Sequence, residues 1–129
     1  MAVEYLLDTS ALLALMFAEK GRDQVHKVLH KCAISAVNLT EAVGKIAQRG
    51  APLDEAWEHI SALEIPVLAY DEATARAAVR FCDLAWTRGM SLADRVCVAT
   101  ALIHGLIAVT ADRRWPTFAT LPKGFLVIR

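Results

Sequence analysis

A chain of 129 residues, 56% apolar and 22% charged, has material for a substantial hydrophobic core in a single domain spanning residues 1–129. Its 14 basic residues balance its 14 acidic ones and no polybasic run occurs, which argues against indiscriminate binding to nucleic acid. Three scattered cysteines (Cys32, Cys82, Cys97) without a Cys-x-x-Cys favour a reducing cytoplasm over a disulfide framework, and no signal peptide or membrane-spanning run is legible.

The chain opens with a short apolar run, Tyr5 to Leu7, that reads as a strand buried on both faces and ending at Asp8. A helix is expected from about Ala11 to Phe17, broken by Glu19-Lys20-Gly21-Arg22, and a second passes through Val25, Val28 and Leu29. Cys32 to Ala36 is a strand candidate. Asn38-Leu39-Thr40-Glu41 has the form of a capping box opening a helix to about Gln48, ended by Gly50 and Pro52. Leu53 to Leu63 is a further helix, with Ala56, Trp57, Ile60 and Leu63 at helical spacing.

Ile65 to Ala69 reads as a strand, and Asp71 as the cap of a helix whose apolar stripe is Ala75, Ala78, Val79, Cys82 and Trp86. Ser91-Leu92-Ala93-Asp94 opens a helix running to about His104 and stopped by Gly105. Leu106 to Val109 and Phe125 to Ile128 are the last strands, with Thr110-Ala111-Asp112 leaving the first of them. Strands alternating with helices predict a three-layer α/β/α sandwich around a central parallel sheet of four to five strands.

In such a sheet ligands bind outside the carboxyl ends of the strands. Asp8 and Asp112 leave strands at that edge, and Glu41 and Asp94 lie in the first turns of crossover helices, which begin at the same edge. Each acid alone has an ordinary use as a helix cap or turn residue. Four converging carboxylates repel one another unless a cation neutralises them. Mg²⁺ or Mn²⁺, one ion or two, takes oxygen ligands and can acidify a water for in-line attack on a phosphodiester.

Four segments carry a resemblance: Leu6-Leu7-Asp8-Thr9-Ser10-Ala11-Leu12, Ser35-Ala36-Val37-Asn38-Leu39-Thr40-Glu41, Ser91-Leu92-Ala93-Asp94 and Val109-Thr110-Ala111-Asp112. In this order and over nearly the whole length, the chain resembles PIN-domain ribonucleases and, more narrowly, VapC-type toxins of toxin–antitoxin pairs. The resemblance implies a magnesium- or manganese-dependent endoribonuclease, with Asp8, Glu41, Asp94 and Asp112 as catalytic and metal-holding acids. It further implies supporting hydroxyls at Ser10 and Thr110, a homodimer, an RNA substrate and a VapB-type antitoxin that occupies the active-site groove.

Arg95, Arg113 and Arg114 adjoin two of the acids and are candidates for RNA phosphate contacts, as are Lys45 and Arg49 beyond Glu41, although solvated surface charge explains each equally well. Trp115 is the best candidate among the tryptophans for touching substrate. Core or interface packing is expected of Trp57 and Trp86. Leu12 to Phe17 offers apolar surface to a partner or to the core. His26 and His30, four residues apart and near Cys32, lack the further ligands that a zinc site needs. Two other readings are a PIN-fold binding module whose acids serve only as caps, and a PIN nuclease of RNA processing or one acting on structured DNA, outside any toxin–antitoxin pair.

Overall fold

Strand β1 (Tyr5–Leu7) is the middle of the sheet because both of its faces are apolar. In the computed structural model, which describes residues 2–81 and 89–129, β1 lies between β2 (Cys32–Ser35) and β4 (Ile107–Thr110). Strands β3 (Val67–Leu68) and β5 (Phe125–Val127) form the edges, in the order β3-β2-β1-β4-β5 with every pairing parallel. Leu6 pairs in register with Ala33 and Ala108, and Leu7 with Ile34 and Val109. Successive side chains point to opposite faces, so one residue step separates two cores.

The Leu7, Ile34 and Val109 face is covered by α1 (Thr9–Met16), α2 (Arg22–Val28), α3 (Ala36–Gln48) and α4 (Leu53–Ser61). The Leu6, Ala33 and Ala108 face is covered by α5 (Glu72–Val79), α6 (Leu92–His104) and Trp115 of the short α7 (Trp115–Phe118). This is the expected three-layer sandwich. Burial of β1, β2 and β4 on both faces explains their continuous apolar sequences, as parallel sheets require.

Where the chain departs from expectation, tertiary packing outweighs local pattern. Helix α3 begins at Ala36 with Ser35 as its cap, so Asn38 is not the cap residue and Glu41 stands in the second turn rather than the first. Asn38 is instead fully buried: its amide donates to Thr9 Oγ1 at 3.1 Å while its Oδ1 accepts from Ser35 Oγ. It ties the end of β2 to the start of α1.

The buried face of α5 is Thr74, Ala77 and Ala78. Val79 is 66% exposed, and Cys82 and Trp86 of the expected stripe lie outside the described residues. Helix α1 starts two residues earlier than expected, with Asp8 as its cap. Its Leu12, Leu13 and Leu15 are buried, so this segment builds core rather than partner surface. Strand β3 is two residues rather than five. Helix α6 has the expected capping box, with Ser91 Oγ accepting from Asp94 N and Asp94 accepting from Ser91 N, both at 3.1 Å. Cys32 and Cys97 are buried free thiols. No helix among the described residues is long and apolar enough to cross a membrane.

Candidate active site

The chain lays β1, β2 and β3 outward in one direction and then returns to add β4 on the other side of β1. That reversal opens a crevice at the carboxyl ends of β1 and β4, the position at which open α/β sheets bind ligands. A cleft of about 270 Å³ lies there, walled by Asp8, Ser10, Glu41, Asp94 and Asp112, with Thr9, Leu13, Glu19, Lys45, Trp115 and Arg129 completing it. The four predicted acids therefore share one cleft, although they come from four separate segments of the chain.

Asp8 is 3% exposed and held from several sides. Its Oδ1 accepts from the Ala11 amide at 2.7 Å, which caps α1, and its Oδ2 accepts from Thr110 Oγ1 at 2.6 Å. Ser10 Oγ, 2.7 and 2.9 Å from the two carboxylate oxygens, donates to the carboxylate and accepts from the Ala111 amide at 2.9 Å. Thr110 Oγ1 in turn accepts from the Asp112 amide at 3.0 Å. Ser10 and Thr110 thus stitch the end of β1 to the exit of β4 through the Asp8 carboxylate. Thr110 is fully buried behind Asp8 and does not line the cleft.

Burial pushes the Asp8 carboxyl up to about 6, against the lowering effect of these hydrogen bonds, and the charge of Asp94 adds to the rise. Asp94 is also raised, first by partial burial; its bonds to Ser91 oppose this, and Glu41 and Asp112 raise it further. The acids feel one another's charge. Asp112 runs the other way: its hydrogen bonds to Arg114 hold it below the usual carboxylate range.

The donor set is all carboxylate oxygen with neighbouring hydroxyls, the chemistry preferred by hard divalent cations rather than by softer metals. Among the described residues, no three His, Cys, Asp or Glu side chains already stand close enough to hold a metal together. The cleft therefore matches such an ion in the chemistry of its donors, not as a closed cage. Mg²⁺ keeps several waters and binds through one or two carboxylates plus substrate oxygens, which an open arrangement suits.

The predicted cations are not brought together. Arg95 is partly buried with its Nε lacking a hydrogen-bond partner among the described residues, Arg113 donates to the Arg129 carbonyl at 2.9 Å, and Arg114 pairs with Asp112 at 2.7 Å. None of the three lines the cleft. Lys45 does line it, whereas Arg49 covers the Phe17 ring at 3.9 Å and lies 3.6 Å from Glu19. Glu19 and Arg129 were not legible as cleft residues: they meet at 3.1 Å across 110 positions, a contact with no local signal in sequence.

Trp115 is 1% exposed and packs edge-on to Phe125 with ring centroids 6.4 Å apart. It is part of the core beneath the cleft, not an exposed platform for a base. Trp57, by contrast, is 43% exposed on α4. His26, His30 and Cys32 line a different cavity with Leu29, Leu63, Glu64 and Pro66. Cys32 Sγ donates to the Val28 carbonyl at 3.2 Å, and burial pushes its thiol up to about 12, so it is a packed thiol rather than a thiolate ligand.

A five-stranded parallel sheet with a carboxylate cleft at its topological switch point defines this molecule's class as an α/β sandwich built around an acidic site. The family model of the PIN domain matches residues 5–121, and the chain belongs to that family. Among solved structures, PAE2754 from Pyrobaculum aerophilum is 29% identical, with a TM-score of 0.63 over 98% of this chain and 85% of that one. A toxin–antitoxin complex from Klebsiella pneumoniae is 20% identical, with a TM-score of 0.71 over 94% of this chain and 95% of that one. DNA-bound VapBC from Salmonella typhimurium is 18% identical, with a TM-score of 0.69 over 96% of each chain. The latter two share the fold. No curated protein matches the chain.

Proposed function

We infer that this PIN-domain protein is a cytoplasmic VapC-type toxin, a metal-dependent endoribonuclease that hydrolyses RNA phosphodiester bonds and is restrained by a VapB-type antitoxin. The observation that carries the reading is the convergence of Asp8, Glu41, Asp94 and Asp112 on one cleft at the sheet's switch point. Fold likeness to chains from toxin–antitoxin and VapBC complexes supports the toxin setting and an antitoxin partner. The homodimer and the RNA substrate belong to the same reading.

In this reading Asp8, Glu41, Asp94 and Asp112 hold one or two Mg²⁺ or Mn²⁺ ions. When bound, such an ion acidifies a water and neutralises charge developing on the phosphodiester. The protein's own part is positional. Ser10 and Thr110 fix the Asp8 carboxylate in one orientation, which removes the cost of ordering it during the reaction. One of the four carboxylates accepts the proton of the attacking water. Lys45 stands at the cleft as a cation for a substrate phosphate, a role that Arg95, Arg113 and Arg114 take only by leaving their present surroundings.

The test is cleavage of a mixed small-RNA pool by antitoxin-free protein, with Mg²⁺ or Mn²⁺ and with chelator, beside Asp94→Asn. Cuts at defined positions that require metal are expected, with a loss of about 100-fold or more in the variant. A folded, metal-supplied protein that cuts nothing would move the assignment to a PIN-fold binding module.

A further inference from the structure

Both oxygens of Asp112 are already engaged by one cation of the same chain. Arg114 Nε lies 3.0 Å from Oδ1 and 3.3 Å from Oδ2, its Nη2 lies 2.7 Å from Oδ2, and its backbone amide donates to Oδ1 at 2.9 Å. This fork-on-carboxylate geometry uses the in-plane lone pairs that a metal would otherwise take. The guanidinium has a built seat. Its Nη2 reaches the Gly89 carbonyl at 3.4 Å, and its central carbon stands 5.4 Å from the centroid of the Phe118 ring. Gly89 keeps that seat open: a Cβ added there would lie 2.5 Å from Arg114 Nη1.

We propose that Arg114 is an internal counter-ion latch, a positioning residue that keeps both Asp112 carboxylate oxygens engaged until a divalent cation displaces it. The inference rests on the reading of the cleft as a metal site, and adds a competitor for the fourth ligand. The latch gives one of the four acids that line the cleft a partner inside the chain, so that a metal ion must compete for it. It is also reversible, because a partly exposed ion pair is weak in water. Once displaced, the guanidinium is a free cation at the edge of the cleft, available to an anionic phosphate of the substrate.

The test is calorimetric titration of Mn²⁺ into wild type, Arg114→Gln and Gly89→Ala at low ionic strength, with thermal melts to establish that each is folded. Arg114→Gln removes the latch. Gly89→Ala keeps its charge but makes the guanidinium shift from its seat, and the backbone there is not in the left-handed region that would penalise alanine. Arg114→Gln is expected to bind Mn²⁺ about fivefold more tightly, and Gly89→Ala about twofold to threefold. Unchanged or weaker binding by Arg114→Gln overturns the latch. Tighter binding by Arg114→Gln with no change in Gly89→Ala also overturns it, leaving only a diffuse field effect of the charge. Absence of Mn²⁺ binding in all three proteins removes the metal site itself and the latch with it. If Arg114→Gln fails to fold, Gly89→Ala decides alone.

Discussion

Asp8→Asn is expected to abolish metal-dependent RNA cleavage and, in chelator, to raise the melting temperature at neutral pH. The two effects share one cause. In the unfolded chain this carboxyl titrates near its ordinary value of 3.8, and in the folded protein burial lifts it to about 6. A folded-state value above the unfolded one means that the fold holds the proton more tightly. The Asp8 contribution to stability is therefore most favourable below about pH 4, falls as pH rises from 3.8 to about 6, and carries the full penalty above that window. The shift corresponds to a penalty of roughly 3 kcal/mol at neutral pH.

Asparagine has the same shape without the charge, and it is among the best helix caps, so the bond from the Ala11 amide survives. Part of the gain is lost because Thr110 must turn its hydroxyl to accept from the new amide. A net rise of about 1–2 kcal/mol, or roughly 3–8 °C, remains. Melting curves of both proteins from pH 3.5 to 8 check this: the gap is expected to open with pH and to close toward pH 4. A lower melting temperature for Asp8→Asn at pH 7.5, or a gap independent of pH, would show that Asp8 is not a carboxylate held against its own solvation. Retained cleavage would remove Asp8 from the metal site.

Trp115→Ala carries the other large effect, and it acts on the fold. The ring is 1% exposed, packs edge-on to Phe125 of β5 and belongs to the core cluster of α5 and α6. Emptying that volume is expected to cost about 3–5 kcal/mol, with a fall in melting temperature of roughly 10–20 °C. Urea unfolding of wild type, Trp115→Ala and Trp115→Phe measures it, and the phenylalanine variant should recover most of the loss. Had Trp115 been a platform for a base, alanine would leave the unfolding midpoint in place and weaken RNA binding instead.

The contrast between these residues marks what local pattern can and cannot convey. Tyr5–Leu7 and Cys32–Ser35 were legible because strands buried on both faces are short unbroken apolar runs. Ser91 and Asp94 were legible because a capping box is satisfied within four residues. The convergence of the four acids followed from topology, since an alternating strand–helix order puts helix starts and strand ends at one edge. Asn38 misled because Asn38-x-x-Glu41 fits the local pattern of a helix start, while the helix begins one turn earlier at the Ser35 cap. A buried link to Thr9, from a distant segment, holds Asn38 inside the helix.

Val79 misled because an alanine-rich helix has too little contrast between its faces to fix the stripe. Trp115 misled because its neighbours Asp112 and Arg114 belong to the site while its ring belongs to β5, which arrives ten residues later. The Arg114 latch has no sequence signature at all. It depends on a glycine 25 residues earlier being folded against the same turn.

The central claim is that Asp8, Glu41, Asp94 and Asp112 act together on a divalent cation in the switch-point cleft. Anomalous scattering from crystals grown with Mn²⁺ tests it most directly. A peak is expected in that cleft, bonded to at least two of the four carboxylates and absent from crystals of Asp8→Asn. A protein whose Mn²⁺ sites all lie elsewhere, such as beside His26 and His30, would contradict it.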